Sequence, residues 1–444
     1  MNLIATDTQA WKLELGELFE QKIQAIAKNN LLKDLRYKAF GCFAGLSIPT
    51  AKHEEWKYTQ LKNLYKLPLN FYTEALPALT LNDLVPYMLE AQEVVRVVCI
   101  DGMFRPELSD LSALPAHVQL TSLTDYLQNP ATQMHTVAQH VAVETDFFSA
   151  LNVAFLEHGT YLHIPKNVVV EKPIAFYLFS TAQKEGQASQ PHHVWIFGEN
   201  SQATVIEKHI SMGQASHFVN QVLEVSVAEN ANITHYQTQI LSEQSYLINT
   251  TQVQQVRNSC YTHLHVSLQG AVIRNNLNIR LDGQGIEANM YGLYMPSGKT
   301  LIDNHSIADH LQPNSVSNEL YKGILDDQST GVFNGKIYVR EGAVKTNAYQ
   351  QNRNLLLTDT ASINTKPQLE IWNDDVKCSH GATTGSLDET ALFYLRSRGI
   401  PQKEAKALLI YAFANEILEK ITLLSLREYL QNHIQQKLGI ENLA

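Results

Sequence analysis

From about Asn152 to Trp372 the chain alternates apolar and polar residues in short segments, and nothing in that stretch reads as a helix. Ile273, Asn275, Leu277, Ile279 and Leu281 share one face, opposite Arg274, Asn276, Asn278, Arg280 and Asp282. Thr262, Leu264, Val266 and Leu268 alternate in the same way with Tyr261, His263, His265 and Ser267, and similar runs surround Val205, Ile233, Ile337 and Ile363. A period of two puts successive side chains on opposite sides of a strand, so these segments predict strands with one buried face. Gly, Asn, Asp and Ser punctuate them, as turns require. Many strands with no helix between them leave a sandwich, a barrel, a propeller or a stacked solenoid. No blade-like signature is present, and Asn275, Asn334 and Asn347 are expected to face inward, where amides stacked from rung to rung satisfy one another. The pattern predicts a mainly β chain with a parallel β-helix core over residues 151–386.

The flanks read differently. Trp11, Leu15, Leu18, Ile23 and Ile26 recur at near-helical spacing, and residues 94–100 form a short apolar strand closed by a tight turn at Asp101-Gly102. Residues 1–150 are expected to form a mainly helical N-terminal domain with irregular connections. Beyond Gly385, Pro401 sits where the first turn of a helix tolerates it. Ala405, Leu408, Leu409, Ala412, Phe413 and Ile417 follow as an apolar stripe, and Leu424–Leu438 predicts a further helix. Residues 387–444 therefore read as a helical C-terminal domain. A free unit of that size would be marginal, so it is expected to dock on its own chain or on a partner. The sheet region is expected to close without it. Lys403, Lys406, Tyr411 and Glu419 mark the outward side of its first long helix, a mixed surface suited to a non-obligate contact.

Composition narrows the function. Apolar residues at 44% and charged residues at 18% supply a core and exclude wholesale disorder. Lys plus Arg is 34 against 44 Asp plus Glu, a net charge of −10 that argues against a dedicated nucleic-acid binder. No run approaches the roughly 20 apolar residues of a membrane span. Residues 1–22 hold Asp7, Glu14, Glu17 and Glu20 and no arginine, unlike a secretory signal or transit peptide, so a cytoplasmic protein is expected. Cys42, Cys99, Cys260 and Cys378 are scattered with no C-x-x-C pair. That spacing excludes a disulfide framework, a sequence-local zinc ribbon and a ferredoxin-type site. A metal site shared with another chain stays open.

Several short motifs invite chemistry. Gly292-Leu-Tyr-Met-Pro-Ser-Gly298-Lys299-Thr300 approximates a phosphate loop, but five residues rather than four separate the glycines and the next segment reads as extended. It is expected to be a turn. His263 and His265 share one side of a strand, where two imidazoles can hold a metal; without a nearby carboxylate or thiol they read as solvated histidines on an outer face. His305 and His310 with Asp303 and Asp309 read as a solvated polar loop. Asp326-Asp327 and Asp374-Asp375 read as turn residues rather than calcium ligands. Cys378 and His380 differ in kind. On an extended segment they point to one face, where a thiol beside an imidazole can serve as a soft metal or sulfur site or as an activated nucleophile.

The stretch Pro367-Gln-Leu-Glu-Ile-Trp-Asn-Asp-Asp-Val-Lys-Cys378-Ser-His380-Gly-Ala-Thr-Thr-Gly385 resembles the SufB/SufD family of iron–sulfur cluster assembly scaffold proteins. The likeness continues through Leu392-Phe-Tyr-Leu-Arg-Ser-Arg-Gly-Ile-Pro401 and through His310, Ser317, Tyr321-Lys322-Gly323 and Gly331-Val-Phe-Asn-Gly335-Lys336. Weaker agreement at Glu54-Glu55-Trp56-Lys57-Tyr58-Thr59, Asp101-Gly102 and Ile164-Pro165 extends it over nearly the whole chain. SufB-like members usually carry a glutamate where this chain has Gly381, so the resemblance is to the SufD branch. It implies a right-handed parallel β-helix between helical terminal domains, a non-enzymatic scaffold, and a complex with a SufB-like paralogue and a SufC-like ATPase. The resemblance puts His380, with Cys378, at the interface where a transient cluster forms, His380 being a metal ligand shared with the partner chain. It puts the ATPase on the C-terminal helices, around Lys403, Lys406, Tyr411 and Glu419, and the ATP site in the ATPase itself. No tightly bound cofactor, nucleic acid or membrane is expected for the chain alone, which can form a homodimer when isolated. A polysaccharide-cleaving β-helix enzyme using Asp326, Asp327 and Arg340 is the rival reading; a stand-alone metalloprotein or ATPase is a third.

Overall fold

Val272–Leu281, Glu287–Tyr294 and Leu301–His310 display the step from which the fold is built. The first and third pair in parallel within one sheet, while the second belongs to another. Repeating that step winds the chain into a parallel β-solenoid with helical segments at both ends. The structure is a computed structural model describing residues 3–25, 30–71, 79–129 and 136–440. At one corner of successive turns Asn200, Asn230, Asn258 and Asn314 adopt φ of 56°, 58°, 56° and 60°, a left-handed bend that asparagine tolerates. Asn230 Nδ2 donates to Asn200 Oδ1 at 3.0 Å, and Asn200 Nδ2 to Asn167 Oδ1 at 2.7 Å. Gly285 takes the same corner at φ +71°, where a Cβ would lie 2.5 Å from Asn258 Oδ1.

The interior is apolar along much of its length, with Ile273, Leu277, Ile279 and Leu281 buried as their alternation predicts. Through it runs a file of amides. Gln221, Asn249, Asn275 and Asn304 sit in register on adjacent strands. Asn275 Nδ2 donates to Asn304 Oδ1 at 3.1 Å, and Asn275 Oδ1 accepts from Gln239 Nε2 at 2.7 Å. Asn334 and Asn347 do not join this file. Phe333 and Ala348 hold the inward positions beside them, so each asparagine falls on the opposite face by the pleat.

His263 and His265 overturn the outer-face expectation. Both lie inside the solenoid, 2% and 1% exposed, in a run of rings from Trp195 through His235, His263 and His265 to Tyr321 and Phe333. The apolar residues of their strand, Leu264, Val266 and Leu268, face outward beneath the C-terminal helices. A sheet covered on both faces has no solvent side, so apolarity does not identify the inside.

The helices Glu389–Ser397, Gln402–Leu418 and Leu424–Leu438 follow the sheets. Ile410, Ala414, Ile417, Leu430 and Ile434 pack on Tyr236, Leu264, Val266, Leu293 and Ile324, so this sheet does depend on them for cover. The expected stripe is rotated: Ala405 and Ile417 are buried, but Ala412 is exposed and Leu408, Leu409 and Phe413 are half-buried. Phe413 is drawn to the edge by Lys322, whose Nζ lies 3.9 Å from the ring centre and 2.6 Å from Glu416 Oε2. On the other sheet, Trp11, Leu15, Phe19, Ile23 and Phe43 of helices Leu3–Ala25 and Asn30–Gly45 pack with helix Phe147–Ala154 over Phe218, Val222 and Ile248. Leu18 is half-buried at the edge of this cluster; Ile26 lies outside the described residues. Val95–Ile100 is a strand closed at Asp101-Gly102, and it pairs in parallel with Ile174–Ser180. Among the described residues no helix is long and apolar enough to cross a membrane.

The solenoid's two ends differ. Its first strands are covered by antiparallel neighbours, Met103–Phe104 on Val95–Ile100 and Gln119–Ser122 on Thr160–Ile164. Its last, Ser362–Ile371 and Lys377–Gly385, each pair on one side only.

Candidate functional site

Lys377–Gly385 is laid on Asn347–Leu356 in parallel, with Cys378 beside Ala348 and His380 beside Gln350. Lys345 N donates to Asp375 O at 2.6 Å and Lys377 N to Thr346 O at 2.9 Å, fixing the entry of the strand. Cys378 and His380 therefore point to one face, as their spacing predicts for an extended segment. That face continues the inward rows of the solenoid. His235, His263, Met290, Glu319, Gln350 and His380 occupy equivalent places on successive strands of one sheet. With no rung beyond it, His380 is exposed, while Cys378 is half-buried against the apolar interior.

Burial pushes the Cys378 thiol up, so it stays protonated at neutral pH and is no activated nucleophile in the free chain. A neutral imidazole is a good ligand for iron, and sulfur a soft one. Two such groups leave a four-coordinate centre incomplete. Among the described residues no group of three or more His, Cys, Asp and Glu is placed to hold a metal ion. An ion held here would take its other ligands from outside the chain.

The rim is apolar and aromatic. Trp372 is half exposed and stacks on Tyr338 at 6.3 Å, with the Arg340 guanidinium 4.9 and 5.1 Å from the two rings. Ile371 and Tyr349 are also exposed, as are Phe393 and Tyr394 on the following helix. Trp, Tyr and Arg are the residue types that dominate binding energy at interfaces.

Further in, Glu319 accepts from Gln350 Nε2 at 2.7 Å and from the Ser306 hydroxyl. Burial raises its carboxyl to about 7 despite these two donors. Sequence reasoning missed Glu319 and Gln350. The signal was the rung period: residues one turn apart, roughly 30 positions on, form one row, which pairwise motif spacing does not reveal.

The other sequence candidates fall elsewhere. Burial, with His235 and His265 adding to it, pushes His263 well below its ordinary value, leaving a neutral core ring. His310 is buried between Ser315 and Ser317 at 2.8 and 2.9 Å, and Asp303 is buried against Arg274 at 2.6 Å. They lie on the strand Leu301–His310, not in a solvated loop: His310 is on the inward face beside Leu281 and Val339, while Asp303 and His305 face outward beneath segment 54–59, through Glu55–His305 and Thr59–Asp303 contacts. Gly298 N donates to Asp327 Oδ2 at 2.9 Å and a strand follows, so the phosphate-loop likeness is a turn. Asp326 and Asp327 sit before Thr330–Val339 and Arg340 after it, about 33 Å apart at 3.3 Å per residue. Arg340 pairs with Asp309 instead, so the polysaccharide site is not assembled. Asp374 and Asp375 lie in the turn before Lys377–Gly385, where Asp375 N bonds Asn373 Oδ1. Lys403, Lys406 and Glu419 are exposed and Tyr411 half-buried, all on Gln402–Leu418 or at its end.

Comparison with known proteins places this geometry. The SufBD core domain of the SUF system for FeS cluster assembly matches residues 179–413, and the SufBD N-terminal region matches residues 10–176. An iron–sulfur cluster assembly SufBD family protein of Synechocystis is 33% identical over 425 residues, 93% of each chain. The iron–sulfur cluster assembly protein SufD of Escherichia coli is 32% identical over 397 residues, 88% of this chain and 89% of that one. SufD of Bacillus subtilis is 27% identical over 430 residues, 91% and 94% of the two chains.

Proposed function

The chain belongs to the SufBD family of iron–sulfur cluster assembly proteins, and on that premise we propose that it is a SufD-like scaffold subunit whose open solenoid end pairs with a SufB-like paralogue. One observation carries the reading. Each of the two sheets ends in a strand with one unpaired edge, Ser362–Ile371 in one and Lys377–Gly385 in the other, and His380 and Cys378 stand at the mouth between them. An unpaired edge is a template for a second strand. A paralogous solenoid offers the same two edges, so joining end to end continues both sheets and closes the mouth over His380. In the isolated chain the same edges accept a second copy.

Iron and sulfide are the cargo. His380 donates a neutral ring nitrogen to iron at the seam, Cys378 supplies a nearby sulfur, and the paralogue completes the ligand set. The chain's role is to hold and position, not to turn over a substrate. A SufC-like ATPase docks on the C-terminal helices through Lys403, Lys406, Tyr411 and Glu419. Those helices are tied to the sheet by Lys322–Glu416, by Lys208 at 3.3 Å from the Tyr429 ring centre, and by Lys437–Ser297 at 2.7 Å. A displacement of the ATPase is thereby passed to the solenoid.

The test is anaerobic reconstitution with the SufB-like and SufC-like chains, following cluster absorbance. His380→Ala should assemble normally and form little cluster. Normal cluster yield from the assembled variant would remove His380 from the function.

A further inference from the structure

Gln350 is 1% exposed and Glu319 4%, and they precede His380 on the same inward row. The amide nitrogen of Gln350 is committed to Glu319 at 2.7 Å, and the other carboxylate oxygen of Glu319 accepts from Ser306. The amide oxygen of Gln350 is buried without a hydrogen-bond partner. Room for this amide is made by Gly335 on the facing sheet, where a Cβ would lie 2.4 Å from Gln350 Nε2. Met290 fills the equivalent place next to Glu319 with no polar group, so the solenoid does not need a carboxyl and an amide in this row for packing. A buried acceptor left unpaired is costly and calls for an explanation. The side chain on the next strand, one strand spacing of about 4.8 Å away, is the imidazole of His380.

We propose that Gln350 is a positioning residue for His380: its amide oxygen takes one ring N–H, Glu319 fixes the amide, and the second ring nitrogen is turned to the mouth. The inference rests on the reading of His380 as a ligand at the seam. An imidazole whose N–H is held by a fixed acceptor exists as a single neutral tautomer, with the lone pair of the other nitrogen free. The raised carboxyl of Glu319 is consistent with this, since protonated or ionised it stays bonded to Ser306 and Gln350. Gln350 touches neither cargo nor partner; it acts through His380.

The experiment reads the imidazole directly. In the full-length chain with 15N-labelled histidine, the His380 resonances are assigned by their loss in His380→Ala. Wild type should show one dominant neutral tautomer. Gln350→Met, which keeps the length and removes the acceptor, should give the mixture of a free imidazole, and cluster yield in the reconstituted complex should fall roughly tenfold. Gln350→Glu, which keeps an acceptor and can receive the Glu319 proton, should restore both. Should Gln350→Met fail to fold, Glu319→Met, which removes the acceptor that fixes the amide, serves in its place, and a shift toward the mixed tautomers is expected. Unchanged tautomer populations in the folded variant would overturn the proposal even where His380→Ala abolishes cluster formation. Normal cluster yield in His380→Ala would defeat the function proposed above while leaving the tautomer result to decide the part played by Gln350.

Discussion

A rung from the middle of the solenoid and the last rung share backbone, direction and register, yet they live in different surroundings. Val272–Leu281 has neighbours on both edges, and Ile273, Leu277, Ile279 and Leu281 are sealed inside. Lys377–Gly385 has one neighbour, and apart from half-buried Cys378 every residue on it is exposed. His380 stands in the same row as the buried His235 and His263, but with no rung over it, and Gly381, Ala382 and Gly385 add little bulk around it. Along the axis the surroundings change more than the kind of side chain: apolar residues, amides and imidazoles are sealed in the middle, while the small and polar residues of the last strand stand uncovered.

Breaking the middle should cost most. Ile273→Ala leaves a cavity in a sealed interior and should lower stability by about 2–5 kcal/mol, read from urea or thermal unfolding. Ala382→Gly on the terminal strand should cost less than about 1 kcal/mol, since nothing packs over it. Equal losses at both places would erase the contrast between them.

Glu319 lies where the two regimes meet. Its folded carboxyl titrates near 7, above an unfolded value near 4.5, so between these limits the folded chain keeps a proton that the unfolded chain has lost. Its contribution to stability is full below about pH 4, falls as pH rises toward 7 and is flat above; the total is about 3 kcal/mol. Glu55, drawn down to about 2 by its bond to His305 and by Lys336, works in the opposite sense and only at lower pH. Glu319→Gln should flatten the stability curve between pH 5 and pH 7, as measured by denaturant midpoint. A curve unchanged by the substitution would mean that Glu319 is more solvated than a sealed residue.

The end should respond through binding. Trp372→Ala should weaken association with the SufB-like chain by about 2 kcal/mol, a loss of roughly 30-fold in affinity by calorimetry, with little change in melting temperature. His380→Ala should alter stability little, by no more than about 1 kcal/mol, since it removes one bond to Gln350 at the open end and leaves no sealed cavity. A large stability loss in either variant would make the open end part of the core.

The alternation around Ile273 made the strands legible because its sheet carries a plain apolar face inward. The strand of His263 and His265 was misread for a physical reason. Its outer face is covered by Ile410, Ala414 and Ile417, so the apolar residues point out and the imidazoles in. The same cover explains the C-terminal helix, whose buried line through Ala407, Ile410, Ala414 and Ile417 depends on a flat sheet the local sequence does not contain. Asn334 and Asn347 could not be assigned a side without the register of each rung. At the site, the two-residue spacing of Cys378 and His380 was readable, and so was their common face. That the face is a mouth, and that Glu319 and Gln350 stand behind it, required knowing which residues lie one turn apart.

The central claim is that the two free strand edges are the surface where the partner joins. Backbone amide hydrogen exchange in the isolated chain and in the presence of the SufB-like chain tests it most directly. Under conditions that keep the isolated chain monomeric, amides of Ser362–Ile371 and Lys377–Gly385 should exchange fast at the free edges and slow markedly on assembly, while those of Val272–Leu281 are slow throughout. Protection that appears on another face, with the terminal strands unchanged, would contradict the account.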